Sequence, residues 1–569
     1  MRITINGKEC WANAGETVLK VAEREGVKIP TLCYLKGLSP TGSCRMCVVS
    51  VEGQRGLAPS CAFPVFDGMK VETNSPEVRR ARKTIIELLI ANHPPECLTC
   101  VRNGNCELQS LAAEYGVRSM RYQGERRHAK LDVASVSIER DPEKCILCGR
   151  CVRVCNEIQG VGAIDIANRG FNSIVMPAFD NSLNTAACVY CGQCIVNCPV
   201  GALREKSNEK ITWEAINSPD KVVVAQIAPA VRVALGEEFG MEPGSVVTGK
   251  AVAALRRMGI DYVFDTNFSA DLTIIEEANE LLHRLKNGGK TPMLTSCSPG
   301  WIKYVEHFYP DLLENLSSCK SPHEMQGAMI KSYWAQKMQI DPAKVFVVSV
   351  MPCTAKKYEA QRPELGEHYQ DVDAVITTRE MANMIRTAGL DFAKLPDEHF
   401  DDPLGESTGA AVIFGATGGV MEAALRTAYF TMTGKEMADI DFRPVRGLDG
   451  VKEAEVAING TTVKVAAVSA LRNIKPILDD IRAGKSDYQF IEVMACPGGC
   501  INGGGQPLPS DPEKTEKRMA AIYKIDRQLA KRCSHHNESV QKLYKEFLGE
   551  PNGHIAHELL HTHYVNRAE

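Results

Sequence analysis

Long apolar runs are missing from this 569-residue chain, and its most apolar stretch, residues 222–235, is interrupted by Gln226 and Arg232. A membrane-spanning helix needs about 20 consecutive apolar residues, so we expect no membrane span. The opening residues, M-R-I-T-I-N-G-K-E-C, alternate like a strand and lack the apolar core of a secretion signal. An excess of either charge is also missing, since the net charge is −4. We therefore expect a cytoplasmic protein that binds neither a membrane nor nucleic acid.

Cysteine, by contrast, is abundant, with 22 residues. Disulfides are disfavoured in a reducing cytosol, where dense cysteine more often binds metal or performs catalysis. Apolar residues make up 44% of the chain, which is enough for ordinary buried cores, and the length suggests about three to five domains. The spacing of the cysteines therefore carries most of the functional information.

The first group of cysteines has the spacing C-x10-C-x2-C-x13-C and follows a predicted strand pair and a predicted helix over residues 17–25. Its members are Cys33, Cys44, Cys47 and Cys61. Four thiolates in one long loop meet the requirement of a [2Fe–2S] cluster, as in plant-type ferredoxins. Zinc is the alternative, because C-x2-C is also zinc spacing, but one such pair with two remote cysteines suits the ferredoxin loop better.

The second group begins with a histidine and has the spacing H-x3-C-x2-C-x5-C, after a predicted helix over residues 76–91. Its members are His93, Cys97, Cys100 and Cys106. These ligand types suit either a zinc ion or a [4Fe–4S] cluster with one imidazole ligand. An imidazole in place of a thiolate removes one negative charge, and by the Rieske precedent this raises the reduction potential.

The third group is an internal repeat of C-x2-C-x2-C-x3-C, offset by 43 residues. This is the signature of two-cluster bacterial ferredoxins, in which the fourth cysteine of each run ligates the other cluster. The sequence therefore predicts two [4Fe–4S] clusters. One takes Cys145, Cys148, Cys151 and Cys198, and the other takes Cys188, Cys191, Cys194 and Cys155.

From about residue 222 apolar strands alternate with amphipathic helices, which predicts an α/β domain with its chemistry at the strand ends. The predicted strands cover residues 222–228, 262–264, 293–296, 345–350 and 411–415. Helices are expected over residues 231–239, 271–286, 301–309 and 421–428. We also expect an antiparallel hairpin near residues 453–467 with its turn at Asn459-Gly460.

Four further cysteines fall at these strand ends, each close to proline or glycine, where backbone approaches a bulky object closely. They are Cys297 in T-S-C-S-P-G-W, Cys353 in M-P-C-T-A-K-K, and Cys496 with Cys500 in M-A-C-P-G-G-C. The other three, Cys10, Cys319 and Cys533, are expected to be simple buried thiols.

These last motifs, in this order behind this cluster array, resemble those of the iron-only ([FeFe]) hydrogenases, specifically the monomeric clostridial type with N-terminal iron–sulfur domains. The first two cluster sites also resemble those of the large iron–sulfur subunit of respiratory complex I. The resemblance implies one [2Fe–2S] cluster, three [4Fe–4S] clusters and an H-cluster, which is a [4Fe–4S] cubane joined to a two-iron unit with CO, cyanide and a dithiolate amine.

The resemblance implies a multidomain α+β and α/β fold with four parts. The first two are a β-grasp [2Fe–2S] ferredoxin domain (1–78) and a [4Fe–4S] domain whose cluster has one histidine and three cysteine ligands (79–127). A two-cluster ferredoxin domain (128–209) and a large α/β H-cluster domain with a fused small-subunit tail (210–569) follow.

The resemblance also assigns roles around the H-cluster. Cys353 and Cys496 would ligate the cubane, Cys500 would bridge its two parts, and Lys356 would donate a hydrogen bond to a cyanide. The walls that exclude water would be Ala228, Pro229, Met351 and Met494.

The family motif reads T-S-C-C-P-x-W, so Ser298 stands where a cubane ligand is expected, and Cys297 stands where a cysteine relays protons. A serinate is a harder and more basic ligand than a thiolate. The alternative is that Cys297 itself ligates the cubane. The family's proton route continues through Glu277, Ser317 and Glu280, and the two glutamates lie one helical turn apart.

The resemblance implies an enzyme, a ferredoxin hydrogenase that interconverts protons and H2 after assembly by dedicated maturation enzymes. Its electrons would come from ferredoxin or a similar carrier, alone or within a larger NAD- or formate-linked complex. The alternative is an H2 sensor or another non-catalytic iron–sulfur electron-transfer protein, which Ser298 alone supports. Because ferredoxins are typically acidic, we expect docking at two basic runs. These are Arg79, Arg80, Arg82 and Lys83, and Arg121, Arg126, Arg127 and Lys130.

Overall fold

The computed structural model describes residues 1–366, 369–458 and 461–568. The chain forms two compact units, and each is described by itself. The N-terminal unit comprises Met1–Glu157, Gly162–Ala186 and Asn197–Arg204. The C-terminal unit comprises Ile158–Val161, Ala187–Val196 and Glu205–Glu569.

The N-terminal unit contains nine short strands and four α-helices among its described residues. The strands are β1 (Arg2–Ile5), β2 (Lys8–Trp11), β3 (Val48–Val51), β4 (Ala58–Pro59), β5 (Lys70–Glu72), β6 (Ile138–Arg140), β7 (Asp165–Ala167), β8 (Ile174–Met176) and β9 (Leu203–Glu205). The helices are α1 (Val18–Arg24), α2 (Pro76–Ala91), α3 (Glu107–Glu114) and α4 (Arg150–Arg153).

A five-stranded sheet in the order β2-β1-β5-β3-β4 opens this unit, and α1 packs its apolar face into the same core. Thr17 caps α1, because its side chain accepts a hydrogen bond from the Lys20 amide. Ser75 caps α2 in the same way, and Pro76 supplies the fixed φ that suits a first helical position. The helices predicted over residues 17–25 and 76–91 are therefore confirmed.

The C-terminal unit contains eight strands and fifteen α-helices in the portion described. The strands are β10 (Val222–Ile227), β11 (Tyr262–Asp265), β12 (Met293–Leu294), β13 (Val345–Met351), β14 (Ala374–Thr377), β15 (Val451–Ile458), β16 (Thr461–Ser469) and β17 (Phe490–Met494). The helices are α5 (Gln193–Val196), α6 (Glu209–Ile216), α7 (Thr248–Arg257), α8 (Thr266–Asn287), α9 (Pro299–Phe308), α10 (Pro322–Met329), α11 (Ala335–Met338), α12 (Lys356–Glu359), α13 (Thr378–Thr387), α14 (Gly409–Val412), α15 (Gly419–Thr433), α16 (Leu471–Arg482), α17 (Pro512–Gln528), α18 (Glu538–Leu543) and α19 (His554–Leu560).

Two four-stranded sheets organise this unit. The first is fully parallel in the order β11-β10-β13-β14, and its strands are buried Val- and Ile-rich runs, as expected when both faces are covered. The second has the order β12-β17-β16-β15, with β12, β17 and β16 parallel and β15 antiparallel at the edge. The carboxyl ends of β10, β12, β13 and β17 therefore lead directly into the motif loops of the sequence.

The antiparallel hairpin near residues 453–467 is confirmed as β15 and β16, whereas its expected turn at Asn459-Gly460 lies outside the described residues. The strand predicted over residues 411–415 is wrong, because this segment continues α14 into a 3-10 turn at Ile413–Gly415. The helix predicted over residues 231–239 is confined to a 3-10 turn at Leu235–Phe239. Short apolar runs do not distinguish a buried strand from a buried helix, and the neighbours of α14 are helices α8, α15 and α17.

No helix in the described ranges is long and apolar enough to cross a lipid bilayer.

Candidate active site and metal centres

The N-terminal unit gathers the first cysteine group in the loops around β3 and β4. The Cys33 amide donates to Cys44 Sγ at 3.3 Å, and the Cys44 amide donates to Cys33 Sγ at 3.5 Å. Cys61 lies against Cys33 and Cys47 closely enough to change the pKa of both thiols. Backbone N–H groups aimed at sulfur stabilise thiolates, so the four sulfurs fit a shared metal group.

The second group lines one cavity of the N-terminal unit, with His93, Cys97, Cys100 and Cys106 on its wall. Gly201 forms part of the same wall, and a Cβ at that position would lie 2.5 Å from Cys100 Sγ. Burial lowers the pKa of His93, so its imidazole is neutral at pH 7 and has a lone pair available for a metal.

The third group divides between the two units. Cys145, Cys148, Cys151 and Cys198, the residues expected to ligate one cubane, line one cavity of the N-terminal unit. Burial, followed by the Cys198 charge, raises the pKa of Cys148 to about 12, so a positively charged metal is needed to make these groups thiolates. Cys155 belongs to the N-terminal unit, where the Ala163 amide donates to its Sγ at 3.3 Å. The C-terminal unit contains Cys188, Cys191 and Cys194.

The main cavity of the C-terminal unit lies at the carboxyl ends of β10, β13 and β17. Its volume of about 90 Å³ is several times the roughly 10–15 Å³ that one water needs, so it can hold a group of many atoms. The structure brings ten of the predicted residues together on its wall. They are Ala228, Pro229, Cys297, Ser298, Met351, Cys353, Lys356, Met494, Cys496 and Cys500.

The cysteines of this cavity are suited to holding a metal group. Burial, followed by the charge of Cys353, raises the pKa of Cys500 to about 12, and burial also raises the pKa of Cys353 and Cys496. Such thiols ionise at neutral pH only beside a strong positive charge, which a bound cluster supplies. Gly499 lies on the cavity wall at φ +97°, where glycine is favoured, and a Cβ there would lie 2.6 Å from the Thr417 amide nitrogen.

Lys356 places one ammonium group beside this cavity. Its Nζ lies 2.6 Å from Glu359 Oε2 and donates to the carbonyl oxygen of Cys297 at 3.2 Å. Burial alone would lower the pKa of Lys356, but the Glu359 carboxylate raises it and keeps the ammonium charged. His323 Nε2 lies 2.7 Å from the same Glu359 oxygen. Sequence reasoning missed Glu359 and His323, although the i,i+3 spacing of K-K-Y-E could have indicated the Lys356–Glu359 pair.

Ser298 is the first residue before α9 and lies on the cavity wall. Its Oγ accepts a hydrogen bond from the Ala495 amide at 3.2 Å, which places it beside the residue that precedes Cys496. The Ser298 backbone is extended and its carbonyl accepts from the Trp301 and Ile302 amides, so α9 fixes the position of this side chain.

A chain of acidic and hydroxyl side chains begins behind Cys297. Ser317 Oγ donates to Glu280 Oε2 at 2.8 Å, and Arg284 donates to Glu280 Oε1 at 2.5 Å. Within residues 1–366, 369–458 and 461–568, neither oxygen of the buried Glu277 makes a hydrogen bond of normal geometry. Burial, assisted by the Glu280 charge, raises the pKa of Glu277 to about 8, and burial also raises the pKa of Cys297.

Arg284 was not predicted from the sequence. It lies at i+4 from Glu280 on α8, and it also donates to the carbonyl of Leu316 at 2.7 Å. Arg284 therefore fixes the Glu280 carboxylate against the loop that carries Ser317. The i,i+4 Glu–Arg spacing is visible in the sequence, but it is common on exposed helices.

Two further expectations concern three single cysteines and the first basic run. Cys10, Cys319 and Cys533 are buried, as predicted. Arg82 was wrongly included in a basic surface run, because its side chain is buried and donates to the Val48 carbonyl at 2.7 Å. The neighbouring Arg79, Arg80 and Lys83 are exposed. An amphipathic helix turns every third or fourth residue inward, which a count of charges along the sequence does not register.

Comparison with known families divides the chain into five consecutive matches. Residues 221–504 match the iron only hydrogenase large subunit, C-terminal domain, and residues 512–567 match the iron hydrogenase small subunit. Residues 1–76 match a 2Fe-2S iron-sulfur cluster binding domain. Residues 82–121 match the NADH-ubiquinone oxidoreductase-G iron-sulfur binding region, and residues 135–204 match the NADH-quinone oxidoreductase subunit 3 ferredoxin-like domain.

Individual proteins resemble the chain over most of its length. An NADP-reducing hydrogenase subunit of Solidesulfovibrio fructosivorans is 50% identical over 100% of this chain and 99% of its own. Iron hydrogenase 1 of Clostridium pasteurianum is 43% identical over 99% of both chains. A solved variant of an [FeFe]-hydrogenase from Chlamydomonas reinhardtii superposes with a TM-score of 0.58 at 43% identity, covering 63% of this chain and 99% of its own.

Proposed function

The chain belongs to the iron-only hydrogenase family, and on this basis we propose that it catalyses the reversible reaction 2H⁺ + 2e⁻ ⇌ H2 at the main cavity of the C-terminal unit. Ferredoxin-like iron–sulfur domains precede a mixed α/β hydrogenase domain. The observation that carries the proposal is the convergence of Cys297, Cys353, Cys496 and Cys500 with one serine and one ammonium group on the wall of a single cavity.

The donor set of this cavity fits an H-cluster. Cys353, Cys496 and Ser298 would ligate its cubane, and Cys500 would join the cubane to the two-iron unit. Lys356 would donate a hydrogen bond to an anionic cyanide ligand. When bound, the cluster supplies the redox chemistry, while the chain positions it, excludes water and delivers protons. Exclusion of water is the role of the apolar walls, namely Ala228, Pro229, Met351 and Met494.

We propose that electrons reach this site through one [2Fe–2S] cluster and three [4Fe–4S] clusters held by the ligand groups of the sequence. We also propose a division into four domains at residues 1–78, 79–127, 128–209 and 210–569, in which each domain contains one set of the cluster ligands named above. The cubane pairing that exchanges Cys155 and Cys198 between the two runs is part of this proposal.

The iron content provides the first test. Fully matured protein should contain about twenty irons per chain, from the usual nuclearities of the four relay clusters and an H-cluster. Iron quantification together with infrared bands of CO and cyanide measures this. Zinc in place of iron at the Cys33 or His93 group would contradict the relay.

Hydrogen evolution with a strong reductant tests the reaction itself. Protein made with the maturation enzymes should evolve H2, and protein made without them should keep the relay clusters but show no activity. A fully loaded H-cluster without turnover would favour the H2-sensing or non-catalytic alternative.

We propose that protons travel through Glu280, Ser317 and Glu277 to Cys297 Sγ, the last protein atom before the cluster. A pKa of about 8 keeps Glu277 mostly protonated at pH 7, so it can both donate and accept.

The pH dependence of turnover should reflect this carboxyl. Because the pKa of Glu277 is raised, its proton is lost as the pH rises through about 8, so H2 evolution should fall there. Stopped-flow or film electrochemistry over pH 6–10 measures the inflection. In Glu280→Gln turnover should be low because the proposed path is cut, and the inflection of the remaining turnover should move to lower pH, because the Glu280 charge, which adds to burial in raising the pKa of Glu277, is removed. An inflection that stays in place in that variant would contradict the assignment.

We propose ferredoxin or a similar acidic carrier as the electron partner, with docking at the exposed Arg79, Arg80 and Lys83 of α2. The NADP-linked name of one relative also favours a place in a larger redox complex.

Reversing these three charges to glutamate should raise the apparent KM for ferredoxin roughly tenfold or more and reduce its salt dependence, because steering is lost. The kcat with a small artificial reductant should not change. Reversal of the exposed Lys286, Lys485 and Lys524 is the matched control and should leave the KM unaltered. Equal effects of the two triple variants would exclude a specific docking face on α2.

A further inference from the structure

A second type of ligand cluster lies in the C-terminal unit, apart from the cysteines of the main cavity. The residues R-C-S-H-H follow α17, and Ser534–His536 form one 3-10 turn. The ligand atoms of Cys533, His535 and His536 lie within 4.8 Å of one another. Glu436 lies three residues beyond the end of α15, and one or the other of its carboxylate oxygens approaches the ligand atom of each of the three side chains.

The distances within this cluster are close to those between the ligands of one metal ion. Glu436 Oε1 lies 3.1 Å from His535 Nε2 and 3.0 Å from His536 Nε2. Glu436 Oε2 lies 3.8 Å from Cys533 Sγ. Zinc–ligand bonds of 2.0–2.3 Å at tetrahedral angles place neighbouring ligand atoms roughly 3.3–3.7 Å apart. Small side-chain rotations therefore suffice to surround one ion.

The surroundings of His535 are those of a metal-ligating histidine. Its Nδ1 lies 3.2 Å from Thr427 Oγ1, which leaves Nε2 to face the cluster. The imidazole stacks on Phe430 with the ring centroids 4.2 Å apart and the planes 6° apart, and this contact fixes its orientation. The Cys533 thiol is buried, while the half-exposed His536 opens the site to solvent and provides a path for an ion.

We propose that Cys533, His535, His536 and Glu436 form a structural Zn²⁺ site. One sulfur, two imidazoles and one carboxylate complete a closed tetrahedral set, which is the geometry of structural zinc. Iron–sulfur clusters need about four cysteine or histidine ligands, most of them thiolates, so this group with its single thiolate does not suit one. The site ties the end of α15 to the segment after α17, two parts of the chain that are more than ninety residues apart.

The experiment measures zinc in matured full-length protein with its iron clusters loaded, after dialysis against Zn²⁺ and then against metal-free buffer. Wild-type protein should retain one zinc per chain. Its zinc X-ray absorption should fit one sulfur at about 2.3 Å and three nitrogen or oxygen atoms at about 2.0–2.1 Å. Cys533→Ala and the exposed His536→Gln should both lose this zinc with iron content unchanged. Cys10→Ala, which removes another buried thiol, should retain it.

A graded variant separates ligation from folding. Thr427→Val keeps the shape of the side chain but removes the hydroxyl beside His535 Nδ1, so zinc affinity should fall about 10–100-fold without loss of the fold. The proposal is overturned if wild-type protein retains no zinc, or if its zinc has two or more sulfur neighbours, which indicates zinc in an iron–sulfur site. Zinc retained equally in Cys533→Ala and His536→Gln overturns it as well. These readouts do not depend on hydrogen turnover.

Discussion

Cys297→Ala should reduce hydrogen turnover by roughly 10²–10⁴-fold while the infrared bands and iron content of the H-cluster stay as in the wild type. Cys297 lies on the cavity wall, and both Glu277 and Lys356 lie close enough to change the pKa of its thiol. Alanine has no proton to pass on, so the path from Glu277 would end one side chain short. The cluster ligands proposed here are untouched by this change.

The variant Cys297→Ser tests whether the side chain of Cys297 passes on a proton or only positions its neighbours. Cys297→Ser retains a small hydroxyl with a higher pKa than a thiol, so turnover should recover only in part and with an altered pH profile. Cys500→Ala serves as the contrasting variant, because it should remove the two-iron bands together with activity. Loss of cubane iron in Cys297→Ala alone would refute the relay assignment and identify Cys297 as a ligand.

The sequence was most informative where local chemistry alone decides the structure. The bounds of α2 follow from the Ser75 cap and from Pro76, and the end of β13 follows from a buried run that stops directly before Pro352. Ten residues chosen from the sequence motifs lie on the wall of one cavity in the structure. They meet there because the carboxyl ends of parallel strands lie at the same edge of a sheet.

Predictions from the sequence failed where contacts between distant segments determine the local structure or the role of a side chain. Residues 411–415 are as apolar as a strand, but their neighbours are helices, so the segment became α14 and a 3-10 turn. Glu359 is joined to Lys356 by chain spacing, yet its contact with His323 comes from a separate helix. In the sequence Arg284 is an ordinary arginine of a helix, and its role depends on a contact with the Leu316 carbonyl in a separate loop. Such contacts between distant segments leave no periodic signal in a single sequence.

Ser298→Cys should strengthen retention of the cubane, because a thiolate binds iron more tightly than the harder and more basic serinate. The Ala495 amide that donates to Ser298 Oγ can donate equally to a cysteine sulfur, so the new ligand needs no rebuilding of the loop. Iron per chain in protein made without maturation enzymes, followed during incubation with a chelator, measures cubane retention. The variant should lose iron more slowly than wild type, and its cubane potential should shift.

Two companion variants decide which residue is the fourth ligand. If Ser298 ligates the cubane, Ser298→Ala should lose it. Cys353→Ser puts a second hydroxyl among the ligands and should bind the cubane more weakly than the wild type does. If Cys297 ligates instead, Ser298→Ala should be harmless and Cys297→Ala should lose the cubane.

The backbone around Ser298 favours the first outcome. Adjacent Cα atoms are about 3.8 Å apart with side chains that diverge, so Cys297 could reach the Ser298 position only after the start of α9 is rebuilt. The amides of Trp301 and Ile302 oppose that rebuilding, because both bind the Ser298 carbonyl in the folded chain. The double variant Cys297→Ala/Ser298→Cys should therefore keep a full cubane and remain inactive, which separates cluster retention from proton delivery in one protein.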